Sequence, residues 1–146
     1  LSALLGAASG PFLKNFIEGW FARGIRFRAN NQAMVDEACE HLDIVLEEAF
    51  SYWNSSAADL GKHDTIYAAR ITMRLHHVSH LIAQRFESHP KVSVSLAQKI
   101  SDLMSYATGG TFGEPDREAE PRLLSAIGQS VLSLEREIKR CGRENR

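Results

Sequence analysis

Apolar residues recur three and four positions apart along most of this chain, the spacing of an amphipathic α-helix, and no run alternates with the period of two that a strand requires. The first such run is "PFLKNFIEGWFAR", residues 11–23, where Phe12, Leu13, Phe16, Ile17, Trp20 and Phe21 fall in adjacent pairs four residues apart. On a helix all six share one face, with Lys14, Asn15, Glu18 and Arg23 on the other. Gly10-Pro11 starts this helix, because proline suits the first helical position. The pattern carries it to about Arg28, where "RANNQ" predicts a turn and Asn30 or Asn31 a cap for the next helix.

Four more amphipathic segments follow. Val35, Ala38, Cys39, Leu42, Val45, Leu46, Ala49, Phe50 and Trp53 mark the inward stripe of the second helix, and "NSSAADLGK" breaks it at residues 54–62. The third helix is predicted over Asp64 to Glu87, with Tyr67, Ile71, Leu75, Val78, Ile82 and Phe86 facing inward. Pro90 pushes the residue before it out of helical geometry and ends this segment. The fourth, Ser93 to Ala107, buries Leu96, Ala97, Ile100, Leu103 and Met104 and stops at Gly109-Gly110. A long loop, "TGGTFGEPDREAEP", follows, and its Phe112 is expected to tuck back onto the helices. In the fifth helix, Glu118 to Cys141, two heptad series interleave into one seam: Leu124, Val131 and Ile138 with Ile127, Leu134 and Cys141. The fold class is therefore all-α: an up-down four-helix bundle, residues 29–146, preceded by an aromatic-rich amphipathic N-terminal segment, residues 1–28.

That division makes the first helix surplus to the bundle, so its aromatic face needs a home. It can lie across the bundle, pair with another copy of the chain, or dock on a membrane. Residues 1–13 carry no charge, yet they are shorter than the roughly 20 residues a span requires. They read as the tail of a longer hydrophobic segment, a flexible leader, or the end of a signal segment.

Charge adds a second asymmetry. The whole chain has a net charge of −1, which gives no global pull toward polyanions. Residues 1–30, however, set Lys14, Arg23, Arg26 and Arg28 against Glu18 alone. Residues 31–61 carry Asp36, Glu37, Glu40, Asp43, Glu47, Glu48 and Asp59 without a lysine or arginine. A basic stretch directly after an apolar one suits the cytoplasmic flank of a membrane, and equally suits pairing with the acidic second helix. Cys39 and Cys141, far apart and outside any C-x-x-C spacing, read as reduced buried thiols.

"RLHHVSH" is the stretch with chemical character. His76 and His80 stand four apart, a spacing a metal ion can bridge, and Glu37 with His41 repeats that spacing on the second helix. His76 and His80 lie opposite the inward stripe, which favours solvated histidines over a metal site; His77 falls nearer the core edge, beside Arg70, Arg74 and Leu81. Arg70 with His76 or His77, and Arg74 with His80, resemble the R-x4–6-H motif of the HEPN ribonucleases, which are helical bundles. The likeness covers one helix, and Ile71 and Leu75 stand where that family often has a polar residue. In such a site the histidine would act as acid or base and the arginine would hold the scissile phosphate. No phosphate loop, nucleophile elbow or H-E-x-x-H motif occurs in the sequence.

The expected function is a non-catalytic helical interaction module. It self-associates or is membrane-tethered through Phe12, Leu13, Phe16, Ile17, Trp20, Phe21, Arg23, Arg26 and Arg28. No cofactor and no metal are expected, with His76 and His80 as the alternative metal pair. The expected partners are a second copy of the chain and a membrane surface or upstream span. The expected location is the cytoplasm, including the inner face of a membrane. The alternative is a HEPN-like, metal-independent ribonuclease using Arg70, Arg74, His77 and His80, for which nucleic acid is the partner.

Overall fold

The computed structural model describes the backbone of residues 9–146 and the side chains of residues 29–146. Among the described residues there are five helices and no strand: α1 (Ser9–Trp53), α2 (Ala57–Leu60), α3 (His63–Arg85), α4 (Pro90–Thr108) and α5 (Leu123–Glu144). The described fold is all-α, as the periodicity predicts. The expected contacts of Phe12, Leu13, Phe16, Ile17, Trp20, Phe21, Arg23, Arg26 and Arg28 lie outside the described side chains.

The first boundary differs from expectation. α1 continues through Asn30 and Asn31, where a turn was predicted. Asparagine lowers helix propensity by well under about 1 kcal/mol, and neither glycine nor proline interrupts "RANNQ". Gln32 also donates to Asp36 one turn later (2.9 Å), support available only within a helix.

The four long helices touch in a ring, α1 against α3 and α5, and α4 against the same two. Their inward stripes meet in one core: Leu42 and Val45 from α1, Ile71, Leu75 and Val78 from α3, Leu96 and Leu103 from α4, and Ile127, Val131 and Ile138 from α5 are fully buried. Phe50 does not join them and is 58% exposed. At 100° per residue it lies on the flank of the α1 stripe, whose centre is held by Val45, Ala49 and Trp53. Ala97 is exposed as well, while Leu46, Met104 and Leu124 are half-buried rather than central.

The connections explain the remaining boundaries. α2 is a single turn inside the expected break, stopped by Gly61 at φ 55°. A capping box fixes its start: Ser56 Oγ accepts from the Asp59 amide (3.1 Å), and Asp59 in return accepts from the Ser56 amide (3.3 Å). α4 begins with Pro90 itself, earlier than expected, because proline loses nothing at the first helical position.

α5 starts at Leu123, later than expected, because the preceding loop is bonded across the end of the helices. The Glu120 amide donates to Trp53 O (2.8 Å), and the Ala57 amide donates to Arg117 O (2.9 Å). Within that strap Phe112 tucks back against Tyr52 and Trp53, with ring centroids 5.0 and 6.2 Å away. Trp53 Nε1 donates to Ala107 O (3.1 Å), satisfying a carbonyl in the last turn of α4.

Candidate functional site

The acidic flank of α1 finds its described partners on α3. Glu37, His41 and Glu48 stand four and seven residues apart along α1, while Arg70, Arg74 and His77 stand four and three apart along α3. The two series face each other in opposite chain directions. Glu37 Oε1 meets His77 Nε2 at 2.9 Å, and Arg74 donates through one guanidinium nitrogen to His41 Nδ1 at 2.9 Å. Glu48 meets Arg74 Nε at 3.4 Å and Arg70 at 4.0 Å. The helical repeat thus turns two amphipathic segments into a polar ladder along one edge of the core.

Burial grades the ladder. Glu48 is buried, and neither its Oε2 nor Arg74 Nε makes a hydrogen bond, although they form an ion pair. His41 and His77 are half-buried, with ring centroids 4.7 Å apart and planes nearly perpendicular. Burial, together with the neighbouring His77 and the positive charge of Arg74, lowers the pKa of His41, so its ring is neutral at neutral pH. The guanidinium can only donate, so Nδ1 of His41 is the acceptor and Nε2 carries the ring proton. Glu37 is exposed, and the hydrogen bond from His77 holds its carboxyl below the usual range.

A surface cavity of about 640 Å³ opens beside the ladder, lined by His41, Arg70, Met73, Arg74, His76 and His77. None of these carries a hydroxyl or thiol, so the polar groups the cavity offers are imidazoles and guanidinium cations. Glu37, His41 and His77 each bring one ligating atom into a group within 4.8 Å of one another. Two of the three were paired by spacing in the sequence; the third is His77, not the His76 and His80 of the alternative metal reading. Both of those are exposed, His76 at the cavity mouth.

Of the residues in the ribonuclease reading, Arg74 and His77 share this cavity with Arg70, while His80 stands on the exposed face. Arg70 and Arg74 both turn toward Glu48. The sequence reading missed Glu48, one of several carboxylates on α1 with nothing in the local pattern to single it out. It also missed Arg117, buried in the loop before α5.

Cys39 and Cys141 are free and buried, and burial pushes the Cys39 thiol up to about 11, which leaves it unreactive near neutrality. No described helix is long and apolar enough to cross a membrane. Comparison with protein-family models, with curated proteins and with solved structures finds no match.

Proposed function

We propose that this chain is a non-catalytic helical interaction module. Residues 29–146 form an up-down four-helix bundle. Residues 1–28 form an arm through which the bundle associates with a second copy or sits on the cytoplasmic face of a membrane. The length of α1 supports this reading: it has 45 residues against 23 in α3 and 22 in α5. At 1.5 Å per residue α1 is about 68 Å long and α3 about 35 Å.

Among the described side chains, core contacts on α1 begin at Met34 and Val35. Val35 lies against Gly142 near the end of α5, and Ala29, Asn31 and Gln32 still line a cavity with Arg85, Gly142 and Arg146. About 20 helical residues, some 30 Å, precede Ala29. Their sequence holds the six-residue apolar stripe from Phe12 to Phe21 and then Arg23, Arg26 and Arg28. Burying each large ring contributes about 1.5–3 kcal/mol, a strong drive toward a partner, and the basic stretch suits anionic headgroups or the acidic α1 of another copy.

Light scattering and sedimentation with anionic phospholipid vesicles, on the full chain and on residues 29–146, test the proposal. The full chain is expected to self-associate or to sediment with vesicles, and the truncated chain to remain a helical monomer. A truncation that loses helicity, from a parent that is monomeric and indifferent to lipid, overturns it. The ribonuclease reading has less support, because an arginine that must meet a scissile phosphate is here engaged by Glu48.

A further inference from the structure

Two helices deliver two imidazoles and one carboxylate to a single point at the rim of an open cavity. Glu37 and His41 come from adjacent turns of α1, just past the level where α1 joins the core, and His77 comes from α3. We propose that Glu37, His41 and His77 form a binding site for a divalent transition metal of the zinc class, which staples the base of the long α1 arm to α3.

The donor set is that of open zinc sites, in which three protein ligands leave a fourth position for water or an incoming group. Metal–ligand bonds of about 2.0–2.1 Å in a tetrahedron place ligand atoms about 3.3 Å apart. Here His77 Nε2 is 2.9 Å and His41 Nε2 is 3.8 Å from Glu37 Oε1, and all three ligand atoms fall within 4.8 Å of one another. Side-chain shifts of an ångström or so close the set without moving either helix. Two of the three ligands, His41 and His77, line the cavity, which has room for a water in the fourth position.

The surrounding groups accommodate the necessary proton shift. His41 now keeps its proton on Nε2 because Arg74 donates to Nδ1. A metal on Nε2 of both rings requires each neutral imidazole to carry its proton on Nδ1 instead: His77 gives up the hydrogen bond it donates to Glu37, whose carboxylate turns to the metal, and His41 releases Arg74. Arg74 has a waiting acceptor: the buried Oε2 of Glu48 has no hydrogen bond and stands 3.4 Å from Arg74 Nε. The swing completes the Arg74–Glu48 pair as the metal takes over His41. It also draws the guanidinium charge away from the cation. Bound anions are disfavoured at the same spot, since Glu37 and Glu48 flank it and both arginines already face Glu48.

The test is calorimetric titration of the full chain with zinc chloride, with melting followed by circular dichroism in zinc and in chelator. One equivalent is expected to bind with a dissociation constant below about 10 µM, and zinc is expected to raise the melting temperature. Changes to groups outside the ligand shell often weaken metal binding by about 10–100-fold, so His41→Ala and His77→Ala should each lose at least about 100-fold. The double variant His76→Ala/His80→Ala should bind zinc as the parent does. Should His41→Ala unfold the chain, Glu37→Gln at an exposed position still removes a ligand charge and must weaken binding. Absence of zinc binding in the parent overturns the proposal. So does binding that persists in folded His77→Ala and Glu37→Gln, or that disappears in the His76/His80 variant.

Discussion

Arg117 and Asp64 form an ion pair of 2.6 Å in which the arginine side chain has no exposed surface. One residue lies in the loop before α5 and the other in the first turn of α3. The same guanidinium donates to Ser55 O (2.7 Å) and lies 3.8 Å over the Tyr52 ring, so one side chain ties the strap to α1, α3 and the α1–α2 turn. Removing one partner from a buried pair leaves the other charge uncompensated, at a cost of about 3–5 kcal/mol. Arg117→Met is expected to destabilise by that amount in urea unfolding. Adding Asp64→Asn should recover part of the loss, and a fully additive double variant would show that the two residues are not coupled.

Stability should depend on pH through Glu135. It is buried on α5 facing Asp43 of α1, with Lys139 one turn away. Burial and the neighbouring Asp43 carboxylate together raise its pKa from 4.5 to about 7. The folded state therefore holds a proton that the unfolded state has released between these values, and stability falls as pH rises through the window. Glu135→Gln should flatten this slope and stabilise the protein at pH 8. Urea midpoints at pH 4.5 and 8 provide the check; an unchanged slope in the variant assigns the dependence elsewhere.

Two glycines of α5 should respond oppositely to a methyl group. A Cβ at Gly128 would make ordinary contact with Leu46, 3.8 Å away, whereas one at Gly142 would lie 3.1 Å from Val35 Cγ2. Alanine gains about 0.5–1 kcal/mol over glycine inside a helix. Gly128→Ala should therefore raise stability by that much, and Gly142→Ala should gain less or lose, because the buried Val35 must give way. Equal effects at both sites would mean that α1 and α5 are not in this close register.

Replacing His76 and His80 together by Gln should change stability by no more than about 0.5 kcal/mol, since both are exposed. Arg74→Ala should be costlier, by about 1–3 kcal/mol, because it strands the buried Glu48 carboxylate. A double histidine variant that melts early would show that these rings carry contacts of their own.

The purified protein is expected not to cleave single-stranded RNA. Cleavage that survives chelator and is lost in both Arg74→Ala and His77→Ala would favour the ribonuclease reading over the interaction module.

The sequence by itself determined which segments are helical and which face most of them bury. The helical faces follow from local periodicity: the α5 seam of Val131, Leu134 and Ile138 is buried as its heptads required. Phe112, a lone ring in a glycine-rich loop, packs half-buried against the core as expected. Tertiary structure decided which flanks meet. Phe50 looked inward by spacing, yet the position of α1 against its neighbours leaves it in solvent. "RLHHVSH" offered three histidines, and only the crossing of α1 and α3 selects His77 to join Glu37 and His41. Arg117, a charged residue in a glycine- and proline-rich loop, reads locally as solvated. Its burial depends on Asp64, Tyr52 and Ser55, residues more than fifty positions earlier that no local pattern connects to it. Helical period fixes a residue's angle about its own axis; the rotation and register of one axis against another are fixed by packing the whole core at once.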